Sequence, residues 1–195
     1  MGWWGKMNIG VDLGGTNIRV AVMDDNGIII EELGCPTEAE NGPLPAIEKI
    51  IAMIQSLQEK HAVRSVGIGA PGPLDAKKGI IIEPPNLSSW KNIELTKMIE
   101  SAIHLPVYLE NDANAAALAE ALIGAGKEAE SVFYITVSTG IGGGYVYNGK
   151  LISGAQGNCG EIGNMIVDPH AIDAPNLNKG ALEALASGTA IGRKA

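Results

Sequence analysis

The chain has 195 residues, 46% hydrophobic and 18% charged, which is ordinary globular composition and long enough to bury a core, so disorder is not the default. Its formal charge of -8 repels polyanions and no local basic patch offsets it, so no nucleic-acid partner is expected. No apolar run approaches the roughly 18 residues of a membrane span, no secretory signal precedes Met7, and Cys35 and Cys159 lie far apart without metal-type spacing; a soluble protein of a reducing cytoplasm, with no membrane partner, is the expectation.

In chain order, Asn8 to Asp12, Asn17 to Met23 and Ile28 to Leu33 are short β-rich runs separated by turn chemistry at Gly14-Gly15 and Asp25-Asn26-Gly27, which predicts a three-stranded meander. From Pro43 to His61 the apolar residues Ile47, Ile50, Ile51, Ile54 and Leu57 fall on one helical face. Arg64 to Ala70 reads as a buried strand stopped by Pro71-Gly72-Pro73, giving the order βββαβ. Lys91 to Ser101 is expected to be helical, Pro106 to Glu110 a short strand and Ala113 to Ile123 an alanine-rich helix. Val132 to Ser138 is then a strand, Gly140 to Gly144 a glycine turn, and Tyr145 to Ile152 a hairpin around Asn148-Gly149. This second cluster repeats the opening arrangement, as two related domains facing a cleft would. Residues 164 to 180 read as a loop and Ala181 to Lys194 as a helix.

Three motifs carry chemistry. In Asp12-Leu13-Gly14-Gly15-Thr16-Asn17 a tight glycine turn offers backbone N–H groups, and Thr16 and Asn17 add side-chain donors, a set that suits phosphate oxygens with Asp12 facing an accompanying metal ion. An ordinary glycine hairpin is the plain alternative. Ser138 to Gly144 holds a second such loop with Thr139, Gly140, Gly142 and Gly143, the plain alternative being a β-bulge or a close strand crossing. Glu110-Asn111-Asp112-Ala113-Asn114 joins a short strand to a helix, where Asp112 suits either a general base for a sugar hydroxyl or a helix cap, with Asn111 bonding a neighbouring hydroxyl. Glu161, Asn164 and Glu183 lie near flexing glycines and suit sugar hydroxyls, the plain alternative for each carboxylate being a solvated surface group. Asn86 could supply one more polar contact, while Trp90 is as well explained by packing.

Taken in order, Asp12 to Asn17, Gly69-Ala70-Pro71-Gly72-Pro73, Asn86 with Trp90, Glu110 to Asn114, Thr139 to Gly144 and Gly160-Glu161-Ile162-Gly163 resemble the ROK sugar kinases, from about Asn8 to the end of the sequence. The resemblance implies an α/β chain of the actin-like ATPase (ribonuclease H-like) fold, with an N-terminal domain over 7–112 and an incomplete second domain over 113–195. It implies ATP with magnesium, transfer to the 6-hydroxyl of a hexose, Asp112 as base and Glu161 and Glu183 as sugar ligands. Two departures stand out. Asn164 occupies a position where the family usually has His, and the stretch from Pro175 to Ala181 lacks the family's zinc-binding cysteines, so no zinc is expected. Family members also continue beyond the Gly188-Thr189-Ala190-Ile191 segment, so the expectation is a fragment that self-associates to a homo-oligomer or needs a missing C-terminal partner segment. The alternatives are a catalytically silent sugar-binding or regulatory ROK protein and an actin-like assembly or chaperone ATPase. Regulators of the family usually carry an N-terminal helix-turn-helix, and an ATPase of assembly or chaperone type has no need of the sugar set.

Overall fold

A computed structural model describes residues 7–87, 89–171 and 174–194. The chain divides into two compact units, Met1–Asp112 and Ala113–Ala195. In the first, β1 (Met7–Leu13), β2 (Asn17–Met23), β3 (Ile29–Pro36), β4 (Val63–Ala70) and β7 (Val107–Asn111) form one sheet in the order β3-β2-β1-β4-β7. The expected meander runs antiparallel through β1, β2 and β3, while β1, β4 and β7 are parallel. Parallel neighbours need a crossover, and α1 (Pro43–Gln58) and α2 (Leu95–Ile103) supply the covering layer. Ile47, Ile50, Ile54 and Leu57 of α1 and Leu95, Ile99 and Ile103 of α2 bury against Ile9, Val11, Leu13, Val20, Val66, Ile68 and Leu109 of the sheet. Alternation then sends Asp12 and Glu110 to the opposite face.

The turn between β2 and β3 is held by Asp24, whose Oδ1 accepts from the Asn26 and Ile28 amides, each at 2.9 Å. The Ile28 bond, aided by those from Asn26, keeps the Asp24 carboxyl below the usual carboxylate range. Residues 91–94, expected to open a helix, lie outside α2. Ile93 instead exchanges backbone bonds of 3.0 and 2.9 Å with Ile81, and Asn92 adopts φ 52°, so helical geometry begins only at Leu95. Ile81 belongs to a two-stranded ribbon of β5 (Leu74–Asp75) and β6 (Ile80–Ile81), too short to be read from periodicity.

In the second unit α3 (Asp112–Leu122), which begins at the boundary residue, packs through Ala117 and Ala121 on Val146 of β9 (Ile141–Tyr147). That strand lies between β8 (Ser131–Val137) and β10 (Lys150–Leu151). Asn148 and Gly149 turn the β9–β10 hairpin with positive φ at both residues, as a type I′ turn requires. The expected glycine turn over 140–144 is corrected: Gly142, Gly143 and Gly144 lie inside β9, paired with Thr136, Ile135 and Tyr134. Their bareness serves packing. A Cβ on Gly144 would stand 2.6 Å from the Cβ of Ala117, and one on Gly143 3.0 Å from the Gly160 carbonyl. The single helix expected over 181–194 is two, α4 (Leu182–Ala186) and α5 (Gly188–Lys194), because buried Ser187 turns extended between them. Its Oγ accepts from the Ala190 amide at 3.2 Å, as an N-cap does. Phe133, Ile135 and Val137 of β8 are about half exposed, and among the described residues no strand pairs with its outer edge.

Candidate active site

Parallel strands collect the loops that follow them at one edge of the sheet, where ligands of open α/β folds sit. The register sets Asp12 beside Gly69 and Gly69 beside Glu110, while Ala70 lies beside Asn111. The Gly14-Gly15 turn, the Pro71-Gly72-Pro73 loop and the Asn111-Asp112 junction therefore leave the sheet together. A Cβ on Gly72 would lie 3.7 Å from Nδ2 of Asn111, which puts that amide against the proline loop. Asn86, 71 positions along from Gly15 in the sequence, is brought to the same edge: a Cβ on Gly15 would meet the Asn86 carbonyl at 2.7 Å. Glycine at 15 is thus required by close backbone approach. Thr16 and Asn17 are exposed beside it, and Asp12 is exposed next to Gly69, which brings no side chain. Asp112 is the first residue of α3, immediately after the end of β7.

The turn itself is braced from below by Thr37, a residue that sequence reasoning missed. Thr37 is 1% exposed; its hydroxyl donates to the Gly14 carbonyl at 2.7 Å and its amide to the Thr16 carbonyl at 2.8 Å. Only its place after Pro36 at the end of a strand distinguishes it in the sequence, and that signals no partner 23 positions away.

In the second unit the turn between β8 and β9 is Ser138-Thr139-Gly140, closed by a bond from the Ser138 amide to the Gly140 carbonyl at 2.9 Å. Thr139 and Gly140 are at this turn, whereas Gly142 and Gly143 are in the strand behind it. Glu183, in the first turn of α4, accepts the Ile141 amide on Oε2 at 2.7 Å. A Cβ on Gly140 would lie 2.5 Å from that oxygen, and one on Gly163 3.2 Å from it. Glu183 thereby fastens the turn and lies against the short 3-10 helix Ile162–Asn164, which Glu161 precedes as its N-cap residue. Thr189 and Gly188, also unforeseen, complete the bracing: the Thr189 hydroxyl donates to the Thr139 carbonyl at 2.8 Å and the Gly188 amide to the Ser138 carbonyl at 2.7 Å.

Asn164 is exposed and engaged with Asn178, whose amide N–H donates to Oδ1 of Asn164 at 2.6 Å and whose side chain donates to the Asn164 carbonyl at 3.0 Å. The Leu182 amide bonds the Met165 carbonyl at 2.9 Å and the Val167 amide the Gly180 carbonyl at 3.0 Å, so the two ends of this loop are stitched side by side. Among the described residues no group of three or more His, Cys, Asp or Glu side chains is placed to hold a metal ion, and no helix is long and apolar enough to cross a membrane.

Comparison with known proteins adds an independent line. A family model described as ROK family matches residues 8–195. A glucokinase of Thermotoga maritima is 39% identical over 185 residues, which are 95% of this chain and 58% of that protein. A ROK hexokinase from Thermus thermophilus superposes with a TM-score of 0.86 at 38% identity, covering 96% of this chain and 62% of that one. A ROK family glucokinase from Streptomyces griseus, solved in complex with glucose and AMPPNP, superposes with a TM-score of 0.83 at 37% identity, covering 96% and 59%. The chain therefore spans less than two thirds of the length of these relatives.

Proposed function

This chain belongs to the ROK family, whose kinases have the actin-like ATPase fold, and from that premise we propose that its residues build the phosphate and sugar sites of an ATP-dependent hexose kinase acting on the 6-hydroxyl of a glucose-like sugar. The observation that carries the reading is the convergence at one sheet edge of Asp12, the Gly14-Gly15 turn, Asn86 and Asn111-Asp112, with Gly15 pressed on the Asn86 backbone. The glucose and AMPPNP bound by the Streptomyces griseus relative support it.

In this reading Asp112 accepts the proton of the 6-hydroxyl as that oxygen attacks the γ-phosphorus; the bond to the β-phosphate oxygen breaks, and ADP leaves. Gly15, Thr16 and Asn17 of the first turn bond phosphate oxygens, while Gly14, whose N–H donates to the Asn17 carbonyl at 3.0 Å, closes that turn rather than contacting phosphate. Thr139 and Gly140 of the second turn are likewise phosphate donors. Gly142 and Gly143 contribute by letting β9 lie close to its neighbours. Asn86, Asn111, Glu161 and Asn164 bond sugar hydroxyls, Asn164 through its Nδ2 because Oδ1 is engaged. Glu183 joins them through the carboxylate oxygen that does not accept the Ile141 amide. Asp12, an exposed hard oxygen donor, fits the hydration shell of a magnesium ion, which when bound neutralises phosphate charge. The test is a coupled phosphorylation assay over glucose, mannose, fructose and N-acetyl hexosamines, on this chain and on one lengthened to the extent of its relatives. Absence of transfer from both, with sugar still bound, would replace the kinase with a silent sugar-binding protein.

Zinc does not fit the residues present. Asn164 is tied to Asn178, and no cysteine lies between His170 and Ala181. Elemental analysis of the purified protein is expected to find no stoichiometric zinc after dialysis against chelator; a full equivalent would overturn this assignment. The half-exposed Phe133, Ile135 and Val137 on β8, whose outer edge pairs with no strand among the described residues, support a further part of the proposal, that the isolated chain self-associates unless a further segment covers this strand. Light scattering should then report a species larger than the monomer, and a strict monomer would refute it.

A further inference from the structure

Both phosphate-type turns are braced in the same way, by a threonine hydroxyl donated to a carbonyl of the turn from a distant part of the same unit. Thr37 bonds the Gly14 carbonyl at 2.7 Å and Thr189 the Thr139 carbonyl at 2.8 Å. In each case a backbone amide adds a second brace, Thr37 N–H to the Thr16 carbonyl and Gly188 N–H to the Ser138 carbonyl. A trans peptide is planar, with its C=O and the following N–H pointing in opposite directions. Pinning the Gly14 carbonyl on buried Thr37 therefore aims the Gly15 N–H away from the core, and pinning the Thr139 carbonyl on Thr189 aims the Gly140 N–H away from α5. The residue after each pinned carbonyl is glycine, whose permissive backbone lets the peptide plane rotate at little cost, so an outside brace is what selects one orientation.

We infer that Thr37 and Thr189 are positioning residues that orient the Gly14–Gly15 and Thr139–Gly140 peptide units so that their N–H groups face phosphate oxygens. The inference rests on the reading of these turns as phosphate sites. Thr37 has the larger effect, since its bond is shielded from water at 1% exposure, whereas Thr189 is exposed and water substitutes in part for its partner.

The test is an NMR titration of the amide-labelled chain with ATP and, separately, with inorganic tripolyphosphate, beside calorimetric titration with glucose. In the wild-type chain the Gly15 and Gly140 amides are expected to shift with either phosphate ligand. Thr37→Val, which keeps shape but loses the donor, should abolish the Gly15 response and weaken ATP by about five- to tenfold. It should leave the Gly140 response and glucose affinity in place, and Thr37→Ser should restore binding. Thr189→Val should do the converse at Gly140, by about two- to threefold. Loss of thermal stability in Thr37→Val with wild-type ATP affinity would reduce Thr37 to a satisfied buried hydroxyl and overturn the inference. If Thr37→Val fails to fold, Thr37→Ser and Thr37→Ala, compared for ATP against glucose affinity, decide the same point. A wild-type chain whose Gly15 and Gly140 amides ignore both phosphates defeats the phosphate-site reading itself, a failure distinct from that of the threonine role.

Discussion

Asp112→Asn is expected to lower phosphoryl transfer by about 10²- to 10⁴-fold in the enzyme lengthened to the extent of its relatives, with hexose binding nearly intact. Asparagine keeps the size of the side chain and its ability to bond a sugar hydroxyl, yet it has no lone pair basic enough to take the proton. The substitution also separates the two readings of this residue. Asp112 is the acidic residue in the first turn of α3, and asparagine caps a helix about as well as aspartate. A purely capping Asp112 therefore predicts wild-type turnover and wild-type stability in the variant. Calorimetric titration with glucose and a coupled rate assay on the same preparation distinguish the cases, and turnover at the wild-type level would remove Asp112 from the mechanism.

The second large effect is expected at Trp90. The side chain is fully buried in the core of the first unit, so Trp90→Ala should cost about 3–5 kcal/mol through lost burial and the cavity left behind. The consequence reaches the site because of how the preceding segment is held. The Leu87 amide bonds the Pro84 carbonyl at 3.0 Å and the Trp90 amide the Leu87 carbonyl at 2.9 Å, and Leu87 is also fully buried. These two anchors hold Asn86 against Gly15. Releasing one of them should lower hexose affinity as well as the denaturation midpoint. Trp90→Phe keeps much of the apolar volume and removes an indole N–H that has no partner among the described residues, so its cost should be clearly smaller. Urea denaturation followed by glucose titration under native conditions gives both readouts. A stability loss with unchanged hexose affinity would assign Trp90 to packing alone and withdraw Asn86 as a sugar contact.

Much of the fold was legible along the chain because its signals span only a few residues. The 3- and 4-residue spacing from Ile47 to Leu57 predicted α1, and the same residues are buried on its core face, with only Ile51 partly so. Asn148-Gly149 marked a hairpin that the structure forms, since these residue types tolerate the positive φ such a turn needs. The ordered motifs from Asp12 to Gly163 carry the family resemblance. Helix onset was less legible where a partner intervened, as at 91–94, where the backbone is committed to Ile81 rather than to a first helical turn.

What only the tertiary structure decided are the pairings between distant residues. Gly142, Gly143 and Gly144 look like a loop in the sequence, yet they extend a strand, because bare Cα atoms are what α3 and the Gly160 segment require at close range. The family resemblance implies a sugar ligand at Glu183, but its bond to the Ile141 amide joins positions 42 residues apart and fastens a turn that its own surroundings in the sequence do not mention. Thr37 carried no motif at all until β3 ended beside the Gly14 carbonyl. The physical reason is common to all three. A residue's own dihedral preferences and the period of its neighbours are local properties, written wherever the residue stands, while a hydrogen bond or a close approach across tens of residues exists only after strand order and register have brought the two backbones together.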